Sequence, residues 1–281
     1  MNDKVAAVIL NYNTSKDCFR CIDFLKRQTW DNLAIYLVDN NSVEEEREKL
    51  KDYVTEHLDI TLISQTENKG FSAGNNAGLK AAVADGAQWC LVINPDVEIR
   101  DGNWLTTMMQ YMKDYPLAVV AGSNVVLPSG ERQNPSREVK YWEELIWFSY
   151  IIRSKVFKFK GYLTEDMQGY CERLSGCCFL IQAAFLKQIG FLDENVFMYC
   201  EEPILAKQVS QCGFKEVYIN EVTAYHQHFA SQKGHAKDRM QTLFNSREYY
   251  LKRYSGYSEF MLKMLFLSKK IQRALWKSKE V

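Results

Sequence analysis

Short apolar runs recur along the first hundred residues: VAAVILNY (5–12), LAIYLVD (33–39), ITLIS (60–64) and QWCLVIN (88–94). Each is too short for a core helix and rich in Val, Ile and Leu, as in a strand buried on both faces. Between them the period becomes helical. Thr14 and Ser15 offer N-caps for a stretch with Cys18, Ile22 and Leu25 at helical spacing, and further helices are predicted over 44–54 and 73–86. This alternation predicts an α/β fold: a mostly parallel sheet flanked by helices, with right-handed crossovers. Ligands of such sheets gather beyond the carboxyl ends of the strands. Here those ends read Asn11-Tyr12-Asn13, Asp39-Asn40-Asn41, Asn68-Lys69-Gly70 and Asn94-Pro95-Asp96. All are polar, which suits a ligand site and also suits ordinary turns.

The second half is less regular. LAVVAGSNVVL (117–127) predicts one or two more strands, followed by a turn at Pro128-Ser129-Gly130, and ERLSGCCFLIQ (172–182) reads as a strand. Glu201-Glu202-Pro203 is placed to start a helix, since Pro fits a first turn and carboxylates there suit the helix dipole. KEVYINEVTAYHQH (215–228) predicts one or two short strands ending in His226 and His228. From about 236 the pattern is helical to the end. The expected division is a domain over 1–235 and a C-terminal helical, basic amphipathic extension over 236–281.

Bulk properties narrow the classes. Thirty-five basic and 35 acidic side chains among 281 residues cancel, so no global field favours nucleic acid and anion binding must be local. No run of 18 apolar residues predicts a spanning helix, and the N-terminus enters a strand without a signal-peptide core; a cytoplasmic location is expected. Of the eight cysteines, Cys18 and Cys21 form a CxxC, but no second pair stands at metal-ligand spacing. Reduced, buried thiols are expected.

Two phosphate-binding signatures are missing. The first strand is followed by no G-x-G-x-x-G, and GFSAG at 70–74 lacks the spacing and the Lys-Ser of a P-loop. Nicotinamide-dependent hydride transfer and P-loop phosphoryl transfer are therefore disfavoured. Gly70, Gly74 and Gly78 recur every fourth residue. Gly74 and Gly78 are expected to let a helix pack closely on the sheet, and Gly70 to free the backbone beside a ligand.

VILNYN, LVDNNS, NKGFSAGNNAG, VINPDVEI, FMYCEEPILAKQVSQCGF and AYHQH, in that order, resemble family 2 glycosyltransferases of the GT-A fold. The nearest resemblance is to bacterial rhamnosyltransferase-like members that build surface polysaccharides, and it covers residues 4 to about 230. It implies a Rossmann-like, mixed but mostly parallel sheet and an inverting transfer from a nucleotide-sugar donor, a dTDP- or UDP-sugar, to a glycan or lipid-linked acceptor. By resemblance, Asn11, Tyr12, Asn13, Asp39, Asn41, Asn68, Lys69 and Gly70 hold the nucleotide. The family's DxD motif maps to Asn94-Pro95-Asp96, with Asn94 in place of the first aspartate. Asp96 is then the carboxylate for a divalent cation, Mg²⁺ or Mn²⁺, and His226 completes the metal site, with His228 as a spare. Of the acidic pair, Glu202 aligns with the general base and Glu201 with its neighbour.

The resemblance stops short of the tail. Residues 252–281 carry eight Lys or Arg against two acids, interleaved with Phe260, Leu267, Ile271 and other apolar residues. That composition predicts a helix lying on an anionic membrane surface, or one packed on its own domain or in a homodimer. The aromatic stretch 141–162 is open between acceptor site, membrane face and buried core. Two rivals to a hexosyltransferase remain: a degenerate nucleotide-binding scaffold at the membrane, and a sugar-nucleotidyltransferase, whose glycine-rich basic loop after the first strand LNYNTS does not supply.

Overall fold

The structure, a computed structural model, describes residues 2–149, 163–227 and 236–277. In chain order the first half comprises β1 (Val5–Asn11), α1 (Ser15–Leu25), β2 (Leu33–Asp39), α2 (Glu44–Glu56), β3 (Ile60–Ser64), α3 (Phe71–Ala84), β4 (Trp89–Ile93), β5 (Val97–Glu98), α4 (Trp104–Tyr111) and β6 (Ala118–Val126). Then come α5 (Tyr141–Leu145), β7 (Gly169–Cys171), β8 (Cys178–Gln182), α6 (Ala183–Ile189), α7 (Glu201–Gln211), β9 (Lys215–His226), α8 (Ala236–Tyr254) and α9 (Glu259–Lys277). The strands form one mixed sheet in the order β3-β2-β1-β4-β8-β6-β9-β5, with β7 also on β9.

The parallel half follows the apolar runs closely. β1 pairs in parallel with β2 and β4, and β2 with β3, so Asn11, Asp39 and Ser64 end level at one edge. Successive residues of β1 face opposite layers, as the pleat requires. Val5, Ala7 and Ile9 pack with Ile22, Leu25 and Trp104, whereas Ala6 and Val8 pack with Leu79, Val83 and Phe185. An added Cβ on Gly74 would lie 2.5 Å from Leu10 Cδ1, and one on Gly78 2.6 Å from Val8 Cγ1, so both glycines let α3 sit close on the sheet as expected.

Several expectations change and others narrow to one of the alternatives. The N-terminus of α1 is not capped by Thr14 or Ser15 side chains. The Thr14 hydroxyl is already committed to Asn11 Oδ1, and the Ser15 N–H is taken by Glu46 Oε2 of α2 at 3.0 Å. The run 172–182 is a strand only from Cys178; residues 172–177 form a loop whose backbone groups bond to side chains from elsewhere. Residues 215–226 make one strand of 12 residues, bent where the pairing with β6 shifts register, and 118–126 likewise form one strand. The tail is two helices, separated around Gly256 at φ 70°. Gly70 does have a left-handed backbone (φ 97°), but the space its missing side chain leaves is filled by the Phe197 carbonyl, 2.0 Å from where a Cβ would stand. All eight cysteines are unpaired and six are buried. Among the described residues no helix is long and apolar enough to cross a membrane.

Candidate active site

The level ends of β1, β2 and β3 are joined by a buried polar network. Asn11 Nδ2 donates to Asp39 Oδ1 (3.1 Å) and Ser42 Oγ (2.9 Å), while its Oδ1 accepts from Thr14 N–H, the Thr14 hydroxyl and the Cys18 thiol. Asp39 accepts the Ser42 N–H. Asn68 Oδ1 accepts from Asn40 Nδ2 and from Gly70 N–H, both at 2.9 Å. Asn13 and Asn41 adopt left-handed backbone (φ 58° and 61°), which Asn tolerates better than most residues, and Asn13 Oδ1 takes the Val43 N–H. Asn11 and Asp39 are thus enclosed, and they shape the edge from beneath. Tyr12 is 48% exposed there, and Lys69 is exposed and ion-paired with Glu67.

A second group is assembled by the antiparallel pairing of β5 with β9, which sets Val97 opposite His226. The Gln227 N–H donates to the Asp96 carbonyl at 2.8 Å, and His226 Nε2 stands 3.3 Å from Asp96 Oδ1. The other ring nitrogen, Nδ1, faces Gln133 Oε1 at 2.7 Å. Burial pushes the His226 imidazolium down, but Asp96 and Cys177 outweigh it and raise its pKa to about 10. Among the described residues no three His, Cys, Asp or Glu side chains form a ready-made metal cage. The donor set is one carboxylate and one imidazole, which can ligate only after giving up the proton that Asp96 stabilises on it. That fits a cation such as Mn²⁺ or Mg²⁺ which shares its shell with phosphate oxygens and water.

The third group comes from the loop leading into α7. Tyr199 and Cys200 both have positive φ (72° and 68°), a conformation costing L-residues about 1–2 kcal/mol each. This strained corner presents Glu201 and Glu202 in the first turn of α7. Glu202 Oε1 accepts the Gly176 N–H at 3.2 Å, and a Cβ on Gly176 would press on Glu202 Cγ. Glu201 Oε1 is buried without a hydrogen-bond partner. Burial, reinforced by the Glu202 charge, pushes the Glu201 carboxyl up to about 7, and backbone hydrogen bonds offset this only in part.

The loop 174–177 links these groups. Leu174 N–H donates to Glu216 Oε2 (2.8 Å) and Ser175 N–H to Asn134 Oδ1 (2.7 Å); the Cys177 carbonyl accepts the Asn94 N–H (2.8 Å). Asn94, Asp96, Gln133, Cys177, Glu201, Glu202 and His226 all line one cleft of about 1160 Å³. Such a cleft can hold a cation-bridged phosphate at one side and accept a proton from a hydroxyl at the other.

Of the residues singled out from sequence, Asn94, Asp96, Glu201, Glu202 and His226 come together in this cleft. Asn11, Asp39, Asn68 and Gly70 come together at the strand ends beside it, outside its lining. Of the aromatic stretch, Trp147 lines the cleft and Trp142 and Phe148 are exposed. His228, Tyr150, Phe157 and Phe159 lie outside the described residues. Gln133, Asn134, Ser42 and Glu216 also belong to the site and its supports, and the sequence alone does not point to them. Their roles depend on partners 31 to 93 residues away, and no local motif marks them.

A family model described as "Glycosyl transferase family 2" matches residues 6–189. The chain is 24% identical to glycosyltransferase GlyG of Streptococcus pneumoniae serotype 4 (strain ATCC BAA-334 / TIGR4) over 123 residues, which is 44% of this chain and 40% of that protein. It is 35% identical to the uncharacterized glycosyltransferase EpsJ of Bacillus subtilis (strain 168) over 78 residues, 28% of this chain and 22% of that one. The matches span two fifths or less of these relatives' lengths. Solved structures share the fold. The mannosyltransferase PcManGT of Pyrobaculum calidifontis, in complex with GDP-Man and Mn²⁺, superposes with a TM-score of 0.58 at 14% identity, covering 98% of this chain and 76% of that one. GalNAc-T7 with UDP, GalNAc and Mn²⁺ gives 0.62 at 16% identity, covering 95% and 54%.

Proposed function

The chain belongs to the family 2 glycosyl transferases, and from that premise we propose that it moves a hexose from a nucleoside-diphosphate donor to a hydroxyl of a glycan or lipid-linked acceptor, inverting the anomeric centre. The observation that carries the reading is the shared cleft, which sets the Asp96–His226 pair and the Glu201–Glu202 pair around one space. The similar folds whose structures contain GDP-Man or UDP with Mn²⁺ support it. We read the donor as a UDP- or dTDP-sugar and the setting as bacterial surface polysaccharide synthesis, on the inner face of the plasma membrane.

In this reading the ends of β1–β3 receive the nucleoside. Tyr12 offers an exposed ring to the base, Asn13, Asn41, Asn68 and Lys69 border it, and Asn11, Asp39 and Gly70 hold the edge in shape. Asn94 and Asp96 reach the diphosphate. A divalent cation held by Asp96 and His226 would offset the charge gathering on the departing diphosphate. The acceptor oxygen attacks the anomeric carbon, the bond from that carbon to the phosphate oxygen breaks, and the electron pair leaves with the nucleoside diphosphate. Glu202, oriented by the Gly176 N–H, takes the acceptor proton. A second reading gives that proton to Glu201, whose buried Oε1 has no partner.

Calorimetry with UDP, dTDP and GDP, with and without Mn²⁺, tests the proposal. We expect metal-dependent binding that Asp96→Ala abolishes; binding that ignores both metal and substitution would refute the assignment of Asp96. Glu202→Gln should leave donor binding intact and lower turnover by about a hundredfold or more. If Glu201→Gln has that effect instead, the second reading holds. Donor binding with no transfer or hydrolysis in the unaltered protein would favour a scaffold.

A further inference from the structure

The helix α9 packs by one face only. Leu265 is fully buried against Tyr250 and Leu251, Lys269 reaches the buried Glu144, and Lys269 and Gln272 line the catalytic cleft. The opposite face is apolar and open to solvent. Phe260, Met264, Leu267 and Ile271 follow one another at steps of four, three and four residues, which stacks them in a single stripe, and Leu275 continues it. All five are exposed, Phe260 at 73% and Leu267 at 56%. An outward stripe of large apolar residues is the reverse of what a helix on a water-facing surface carries.

Two neighbouring features indicate what covers the stripe. On one flank, at helical positions next to Phe260 and Leu267, stand the exposed Lys263 and Lys270. On the other, Ser268 Oγ donates to the Leu145 carbonyl and the Tyr141 hydroxyl to the Met261 carbonyl, so segment 141–149 runs alongside α9. That segment adds the exposed Trp142, Ile146 and Phe148. The patch therefore joins apolar side chains, an indole and lysines, in a protein whose overall charge is zero. A protein partner would need an apolar surface of matching relief. An anionic bilayer needs none, because acyl chains conform to the stripe while headgroup phosphates meet the lysines and Trp142 sits at their level.

We propose that the outer face of α9, with Trp142, Ile146 and Phe148, is the surface by which this protein lies on an anionic phospholipid bilayer. The helix of 19 residues is about 28 Å long and lies in the interface plane without crossing it. Because the inner face of the same helix lines the cleft, docking places the cleft within one helix diameter of the lipid surface. This placement deepens the reading of a lipid-linked acceptor and rests on it for its purpose; the docking itself rests only on α9 and segment 141–149.

Sedimentation of the full chain with vesicles tests the docking without any donor. We expect it to pellet with phosphatidylcholine vesicles containing phosphatidylglycerol, and far less with phosphatidylcholine alone. The double substitution Leu267→Glu with Ile271→Glu should reduce vesicle binding more than about tenfold, since it puts two charges where acyl chains should lie. Lys263→Glu and Lys270→Glu should each weaken binding to the anionic vesicles by about fivefold or more. The thermal midpoint should be unchanged in every variant, because these side chains are exposed. No pelleting of the unaltered chain would overturn the proposal, and so would a dimer seen by light scattering that Leu267→Glu dissociates while vesicles remain unbound. Vesicle binding without any nucleotide binding would sink the transferase reading and leave the docking standing.

Discussion

Glu216 carries a buried carboxyl on β9, where it accepts the Leu174 N–H. Burial pushes it up to about 8, against the partial relief of that hydrogen bond and of Arg173. A raised carboxyl favours the folded state fully below the ordinary value near 4.5, and that contribution is lost as pH climbs through about 8. Glu216→Gln keeps an acceptor for Leu174 and removes the titration. The variant should be more stable than the parent at pH 8–9 by roughly 1–3 kcal/mol, with little difference near pH 5. Thermal midpoints across that range read the difference, and parallel curves would show that Glu216 is not the titrating group. At Glu201 the same physics touches activity. With its carboxyl near 7, turnover in the second proposed reading should rise with pH through that value, because only the charged form of Glu201 can take the acceptor proton. Glu201→Gln should erase that inflection in the rate profile. The sequence marks the acidic pair and Asp96; it cannot show that Gln133, 93 residues before His226, meets its ring.

Among the elements, α3 shows the closest tolerance. The faces of Gly74 and Gly78 meet Leu10, Val8 and Val38 with no room for a methyl group. Gly78→Ala gains about 1 kcal/mol of helix propensity but forces α3 away from β1 and β2, an overpacking cost of about 1–3 kcal/mol or more. We expect a net loss of stability in urea unfolding; a stabilised variant would mean the layer can shift freely. The first four strands and their helices were legible because one pattern, apolar runs alternating with amphipathic ones, holds along contiguous residues. The run 172–182 misled because its composition is that of a strand to the end. Its first half is kept out of the ladder by acceptors on Glu216, Asn134 and Glu202, each tens of residues distant. Local propensity is a weak prior where tertiary partners claim the backbone.

At the scale of the whole molecule, the C-terminal helices brace the site. Asp193 takes the hydroxyls of Tyr249 and Tyr254, and Ser246 donates to the Met198 carbonyl, so α8 holds the loop that presents Glu201 and Glu202. Beneath it Glu144 is buried between Arg247 and Lys269, whose charges hold its carboxyl below the ordinary value in spite of burial. Glu144→Ala would leave two partly buried cations without their counter-charge, at a cost of about 1–3 kcal/mol. Amide hydrogen exchange should accelerate in α8, in α9 and in the 191–200 loop; acceleration confined to α5 would show that the ion pairs do not couple these parts.

The sequence by itself determined the layered sheet, the polar strand ends, the family resemblance and the basic, apolar character of the tail. All of these are written in short-range periodicity and in runs of contiguous residues. Only the tertiary structure decided that Asp96 meets His226, that the 174–177 loop ties Asn94 to Glu202, and that the apolar stripe of α9 faces outward while its basic residue Lys269 turns in. Those outcomes depend on the antiparallel insertion of β8, the pairing of β5 with β9 and the folding back of α8 and α9. Each brings together residues far apart in the chain, and the free energy of such contacts comes from burial and hydrogen bonding that no local window contains.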